Sequence, residues 1–291
     1  MTTKPPATGT ETQPNVATRA KRGASWRLDV TRWSGREDSV HQDSVAVEEP
    51  LEIRLNGESV SVTMRSPGND LELAAGLLYT EGIITSAEQL VDVSHQKEPT
   101  HPNLCNIVQV ATAEPIDLKS RGWQRNFVST SSCGLCGKAT IASLKRHAPP
   151  LEDSLQIRAE LLYELPDKLR AQQRAFTSTG GIHAAGLFTP DGELITVRED
   201  IGRHNAVDKL IGAAVLNGTV PLSHAVMMVS GRSSFEIVQK ALVARIPVLA
   251  GVSAASSLAI SLAEESRMTL IGFLRQETMN IYAGAQRVLA T

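Results

Sequence analysis

The sequence predicts an α/β protein of two domains, a smaller α+β domain followed by a three-layer α/β domain. Between Ala225 and Leu274 a unit of apolar strand, serine-bearing turn and helix recurs, the pattern of parallel strands covered on both faces. Between Leu51 and Met64 apolar residues alternate with polar ones on both sides of an Asn-Gly pair. The chain has 291 residues, 42% of them apolar, enough to bury a sizeable core in each half.

Taken in order, residues 1–25 are rich in Thr, Pro, Ala and Gly without periodicity, and we expect a disordered tail there. Structure is expected to begin near Trp26. Leu51, Ile53 and Leu55 then alternate with Glu52 and Arg54, and Val60, Val62 and Met64 alternate with Ser61 and Thr63. Asn56-Gly57 between them marks a hairpin, since both turn positions need positive φ. Leu71 to Tyr79 places Leu73, Leu77 and Leu78 on one helical face, with Gly82 positioned to end the helix. Ser86-Ala87-Glu88-Gln89 reads as a capping box opening a short turn. Two further strands, Leu90 to His95 and Leu104 to Thr112, complete an α+β domain assigned to residues 26–145, ending in a cysteine loop.

Beyond it, Lys138 to Arg146 reads as a short helix, and Pro149-Pro150 as a linker. The α/β domain is assigned to residues 146–291. Arg158 to Arg174 is helical in composition, with Pro166 expected to start or break a helix. Phe176 to Thr179 and Ala184 to Phe188 flank Gly180-Gly181, and Asp191-Gly192 turns the chain into Glu193 to Arg198. A helix with Val207, Leu210, Ile211, Ala214 and Val215 on one face follows. The recurring units come last: Ala225 to Val229 with a helix to Ala244, Pro247 to Val252 with a helix to Ala263, and the strand Met268 to Leu274.

Composition narrows the function. A formal net charge of -2, with Lys and Arg spread along the chain, argues against nucleic acid as partner. Three cysteines do not make a disulfide framework and fit a reducing compartment. Residues 1–25 lack the apolar core of a signal peptide, and no stretch approaches the ~20 apolar residues of a spanning helix, so a cytoplasmic protein without membrane contact is expected.

Reactive chemistry is concentrated in S-T-S-S-C-G-L-C-G-K-A-T, residues 129–140. Cys133 and Cys136 are flanked by glycines that let the backbone turn tightly. A free thiol with pKa ≈ 8.5 is only a few per cent ionised at neutral pH, and Lys138 with a following helix N-terminus would raise that fraction. Four readings compete. Structural zinc needs two more ligands, and only Cys105, His101 and His147 are at hand. A thioredoxin-like dithiol belongs between a first strand and helix, whereas here the motif joins two larger units. Inert buried cysteine sits poorly beside so many glycines. The fourth is a thiol that carries sulfane sulfur as a persulfide, with its neighbour able to release it by thiol exchange.

Other motifs surround it. Arg198-Glu-Asp200-Ile-Gly202-Arg203-His204-Asn205-Ala-Val-Asp208-Lys209 crowds polar groups where a strand passes into a helix, the place where open α/β sheets bind ligands. Ser230-Gly231-Arg232-Ser233-Ser234 occupies the equivalent place in the next unit, with Ser233 and Glu236 spaced as a capping box. A helix N-terminus with an Arg suits phosphate, and an ordinary cap is the plain alternative.

On these residues the sequence resembles the FdhD family of formate dehydrogenase accessory sulfurtransferases, from about residue 45 to residue 290. The likeness rests on C-G-L-C-G at 133–137, F-T-S-T-G-G-I-H-A-A at 176–185, the 198–209 and 230–236 stretches, and G-F-L-R-Q-E-T-M-N-I-Y at 272–282. It implies a sulfurtransferase that accepts sulfur from a cysteine desulfurase as a cysteine persulfide. The sulfur passes to the molybdenum cofactor, bis(molybdopterin guanine dinucleotide), which formate dehydrogenase needs for activity. By motif position Cys133 is the carrier, Cys136 assists, and Phe273, Leu274, Arg275, Gln276, Glu277 and Thr278 contact the cofactor. Ser230, Arg232 and Ser233 join them on the residue reading above. The family likeness also implies a cytidine-deaminase-like fold for the larger domain and a homodimer.

Zinc deaminases carry H-x-E and a later P-C-x-x-C. Here His183 is followed by Ala184-Ala185 and the C-x-x-C comes earlier, so no protein-ligated metal is expected. Two rivals remain: a non-catalytic chaperone of the molybdenum cofactor, and a structural zinc protein.

Overall fold

The structure, a computed structural model, describes residues 23–35, 37–97, 105–118, 149–152 and 155–290. The cysteine stretch, the expected helix 138–146 and the boundary drawn at 145/146 lie outside them.

Strands β1 (Ser25–Ser34) and β2 (Glu37–Ala46) pair antiparallel from Ser25↔Ala46 to Ser34↔Glu37. This ribbon was not expected as such. Trp26, Leu28 and Val30 alternate, but β2 has no apolar alternation, and Trp33 and Val40 stand 70% and 71% exposed. The Asn-Gly hairpin forms as predicted, from β3 (Glu49–Leu55) and β4 (Glu58–Arg65), with Asn56 at φ 48° and Gly57 at φ 87°. Helix α1 (Asp70–Thr80) follows and ends at Glu81-Gly82, the glycine at φ 67°. Gln89 accepts the Thr85 and Ser86 N–H groups at 2.6 and 3.2 Å and opens a single 3-10 turn. Strands β5 (Leu90–Gln96) and β6 (Ile107–Thr112) then complete a four-stranded sheet in the order β4-β3-β6-β5.

The second sheet is built from the later elements. Strand β7 (Ile157–Arg158) leads into α2 (Ala159–Gln172) and α3 (Arg174–Thr179). Pro166 sits inside α2 and neither starts nor breaks it, because Leu162, Leu165 and Leu169 hold the helix on the sheet on both sides of the proline. Residues 174–179 are a helical turn stopped by Gly180 at φ 66°. Then come β8 (His183–Phe188), β9 (Leu194–Asp200), α4 (Arg203–Leu216), β10 (Val226–Val229), α5 (Phe235–Val243), β11 (Val248–Gly251), α6 (Ser257–Glu265), β12 (Thr269–Arg275) and β13 (Thr278–Ala283). A last strand, β14 (Val288–Leu289), pairs parallel with β7.

The six-stranded sheet runs β13-β12-β11-β10-β8-β9, with β10, β11 and β12 parallel and the flanking pairs antiparallel. Its side chains divide with the strand period of two. Ala184, Phe188, Val226, Met228, Val248 and Ala250 pack on α2, while Ala185, Leu187, Met227, Val229 and Leu249 pack toward α4, α5 and α6. This is the predicted three-layer α/β arrangement. The apolar faces of β3 and β6, α1 and α4 belong to one continuous cluster. Helices α1 and α4 cross where neither has a side chain: a Cβ on Gly76 would lie 1.8 Å from the Asp208 carbonyl oxygen, and one on Gly212 1.8 Å from that of Glu72.

Candidate functional site

Parallel strands deliver their carboxyl ends to one edge, and the antiparallel β8 brings its first residue there. Val229 pairs with Ala185, so His183 stands beyond the end of β10, with Asp200 of β9 opposite it. The Ser230 N–H donates to the Ala184 carbonyl at 3.0 Å and its Oγ accepts the Ala184 N–H at 2.8 Å, extending the strand pairing by one residue. Farther along the edge, Ser233 bridges Ala255, and Phe273 N–H donates to the Ser253 carbonyl at 3.1 Å. Ser230, Arg232, Ser233 and Phe273 are therefore brought to one sheet edge.

Their side chains are differently disposed. Arg232 is exposed, Ser230 is half-buried, and Ser233 is wholly buried, its hydroxyl without a hydrogen-bond partner among the described residues. The predicted capping box at Ser233 and Glu236 does not form. Ser234 is the N-cap of α5, because Ser233 is drawn into the bridge with Ala255. Leu274 points into the core, whereas Arg275, Gln276, Glu277 and Thr278 are exposed in the turn from β12 to β13. Phe273 and Gln276 take positive φ values of 51° and 49°, an unusual conformation for side-chain-bearing residues, at a bulge between Gly272 and Arg275. The Arg275 guanidinium lies 5.6 Å from the Phe273 ring centroid.

The polar motif at 198–209 does two jobs. One is structural. Asp200, wholly buried, pairs with Lys209 Nζ at 2.7 Å and accepts the Gly202 N–H, Asn205 Nδ2 and Ser66 N–H at 2.8, 3.0 and 3.2 Å. Lys209 also donates to the Ser66 carbonyl at 2.9 Å, and Asn205 to that of Met64 at 2.8 Å. Asp208 receives Lys240 at 2.8 Å and the Thr80 hydroxyl at 2.7 Å, and Arg198 forms a two-pronged pair with Glu72. These bonds tie α1 and β4 to the six-stranded sheet. Sequence alone left these roles open, since the partners on β4, the turn after it and α1 lie more than a hundred positions away.

The other lies at the sheet edge. Arg203 opens α4, and His204 Nε2 lies 3.3 Å from Ser234 Oγ and 3.8 Å from Glu236. Burial, then the Lys240 and Arg203 charges, lower the His204 pKa to about 4 against the opposing pull of Glu236. Burial likewise lowers His183, with Arg203 and Arg232 adding to it and Asp200 opposing. Both rings are therefore neutral at pH 7. Upstream, Glu199 accepts the Ala175 and Phe176 N–H groups at 2.9 Å each, and fixes α3 as the approach to His183.

Guanidinium, hydroxyl, imidazole and aromatic groups thus lie along one sheet edge, where their chemistry can meet phosphate oxygens and a planar ring. Among the described residues no cluster of His, Cys, Asp or Glu could hold a metal ion, and no helix is long and apolar enough to cross a membrane. Cys133 and Cys136 lie outside the described residues, and exposed Cys105 is the one described cysteine.

Comparison with known proteins gives a consistent picture. The model of the FdhD/NarQ family matches residues 46–289. A Streptomyces coelicolor protein named sulfur carrier protein FdhD is 52% identical over 267 residues, covering 90% of this chain and 95% of the relative. A Saccharolobus solfataricus protein of the same name is 41% identical over 265 residues, covering 90% and 97%. The crystal structure of a Desulfotalea psychrophila protein, provisionally designated a formate dehydrogenase accessory protein, superposes with a TM-score of 0.71. It covers 91% of this chain and 100% of that one at 22% identity, which shows a shared fold.

Proposed function

The chain belongs to the FdhD/NarQ family, and from that premise we propose that it is a sulfurtransferase that carries sulfur to the molybdenum cofactor required by formate dehydrogenase. The observation that carries this reading is the 41 to 52% identity, over 90% of the chain, to proteins named sulfur carriers. Cys133 is the carrier. Its thiolate attacks the outer sulfur of a cysteine desulfurase persulfide; the donor S–S bond breaks, the donor cysteine leaves as thiolate, and a persulfide remains on Cys133. Attack by Cys136 on the inner sulfur would release hydrosulfide and leave a Cys133–Cys136 disulfide, which a cellular dithiol reduces.

The cofactor, bis(molybdopterin guanine dinucleotide), is the substrate that receives the sulfur. We assign its guanine nucleotide part to the carboxyl edge of the six-stranded sheet, among Ser230, Arg232, Ser233 and the Phe273 to Thr278 turn. The two guanidiniums, the exposed turn and the neutral imidazoles at that edge support the assignment. The protein acts in the cytoplasm, as a homodimer.

Incubation with a cysteine desulfurase and cysteine, followed by intact-mass and peptide analysis without added thiols, tests the reading. One added sulfur atom on the peptide holding Cys133, lost in Cys133→Ala, is expected. No adduct, together with full activation of formate dehydrogenase by the Cys133→Ser, Cys136→Ser double variant, would make the protein a cofactor chaperone without sulfur chemistry.

A further inference from the structure

The opposite edge of the six-stranded sheet, where β11 and β12 begin, holds a cavity of about 520 Å³. Its walls are of two kinds. Leu151 and Leu155, 3% and 7% exposed, make the apolar side. Arg267, Arg287, Gln156 and Gln286 make the polar side, and Glu152 is the acidic residue of the lining.

Arg267 is placed there at a conformational cost. Helices α5 and α6 end alike, in a left-handed residue whose N–H, with that of the residue after it, closes back on the last turn. Arg245 and Ile246 donate to the Leu242 and Ala241 carbonyls, and Arg267 and Met268 to those of Glu264 and Ala263. Glycine takes this position without strain, yet both helices place arginine there, at φ 63° and 57°. Arg245 has a structural reason. Its guanidinium donates to the Pro149 and Pro150 carbonyls and clips that segment to the start of β11. Arg267 has no such reason. Its carbonyl accepts Arg287 Nη1 at 2.7 Å, a bond any residue there could make, while its exposed guanidinium meets no acceptor among the described residues. A strained residue that carries a side chain persists where that side chain has a use.

Arg287 stands beside it. It is 5% exposed, and the Arg267 carbonyl and Thr269 hydroxyl, 2.7 and 3.4 Å from Nη1, fix its guanidinium at the cavity wall. Planar, forked donors match the two oxygens of a carboxylate. The leucine side selects what carries that carboxylate, since apolar lining is filled by hydrocarbon and not by a hydrated ion.

We propose that this cavity binds a carboxylate carried on a short aliphatic body. Arg267 is its main charged contact, Gln156 and Gln286 are amide partners, and Leu151 and Leu155 receive the hydrocarbon. Such a group occurs in a free branched-chain acid and at the carboxyl end of a polypeptide whose last residue is aliphatic. The four residues of β10 and of β11, roughly 13 Å, separate this cavity from the Ser230 edge. The proposal therefore stands or falls apart from the sulfur-carrier reading.

Two-dimensional amide NMR on the full chain tests it with 4-methylpentanoate, 4-methylpentanamide, and the peptide Ala-Ala-Ala-Leu with a free or an amidated carboxyl end. The free acid or the free-ended peptide should shift the Leu151, Gln156 and Gln286 resonances saturably, and the matching amide should bind at least about tenfold more weakly. Tighter binding of the free acid makes the ligand a small molecule; tighter binding of the peptide makes it a polypeptide end. Arg267→Gly is the decisive variant, because glycine relieves the left-handed backbone while removing the guanidinium. It should weaken binding about tenfold or more, with a thermal midpoint no lower than that of wild type. A lowered midpoint would give Arg267 a structural role and overturn the proposal. Equal binding of acid and amide, unchanged affinity in Arg267→Gly, or no saturable shift from any probe up to about 20 mM would overturn it as well.

Discussion

Replacing Lys209 by Met separates packing from charge at the centre of the molecule. Lys209 is 1% exposed and Asp200 0%, and their 2.7 Å contact joins α4 to β9. Methionine keeps most of the stem volume but leaves the Asp200 carboxylate buried without its cation, holding only the Gly202, Asn205 and Ser66 donors. Loss of one partner from a buried pair costs about 3–5 kcal/mol. At roughly 2–4 °C per kcal/mol for a chain of this size, the thermal midpoint should fall by about 10 °C. Adding Asp200→Asn removes the stranded charge while keeping the carbonyl acceptor, so the double variant should recover part of the loss. Circular dichroism melts of wild type, both single variants and the double variant give the coupling energy. A melt of Lys209→Met within about 1 °C of wild type would refute the reasoning, as would strictly additive effects.

The buried His204 makes stability depend on pH. Its folded pKa of about 4 lies below the unfolded value, so its contribution is whole above about pH 6.5 and is lost as pH falls toward 4, up to about 3 kcal/mol. Urea unfolding at pH 7 and pH 4.5 should show a larger loss for wild type than for His204→Gln, the difference removing the shared carboxylates; equal losses would contradict the burial. Gly212→Ala should destabilise by more than about 3 kcal/mol or prevent folding, because its Cβ would meet the Glu72 carbonyl oxygen at 1.8 Å. Gly181→Ala, whose nearest neighbour would be 3.8 Å away, serves as the tolerated control in the same urea titration.

Local chemistry explains which parts could be read ahead of the structure. The β3–β4 hairpin was legible because Asn56 and Gly57 supply the positive φ values that its turn requires. The strands of the second sheet were legible because both faces are buried, leaving unbroken apolar runs at Val226–Val229 and Val248–Gly251. The β1–β2 ribbon was not, since most of it faces solvent and its pairing depends on register more than on burial. Pro166 stays inside α2, against the expectation from residue type, because the leucines that hold the helix against the sheet outweigh the missing N–H.

The site was legible in position but not in detail. Ser230 and Arg232 follow β10, and Phe273 lies near the end of the parallel β12, so parallel topology carries them to one edge. Ser233 was assigned a cap because spacing cannot reveal the competing bridge to Ala255. Nothing in the local sequence marks the Asp200–Lys209 pair as buried; part of its surroundings comes from Ser66, 134 positions from Asp200. Arg203 and Lys209 look alike in the sequence, two cations in one helix. Only the fold shows that one is neutralised by Asp200, while the buried Nε of the other meets no hydrogen-bond partner among the described residues.

Transfer of sulfur through Cys133 to the nucleotide-bound cofactor is the central claim, and a single-turnover chase tests it most directly. The protein is loaded with radiolabelled sulfane sulfur from a desulfurase, separated from the donor, and mixed with the molybdenum cofactor under reducing-agent control. The label should leave Cys133 and appear in the cofactor, with formate dehydrogenase activated in proportion. Label that stays on the protein while the enzyme is activated to the same level would contradict the account.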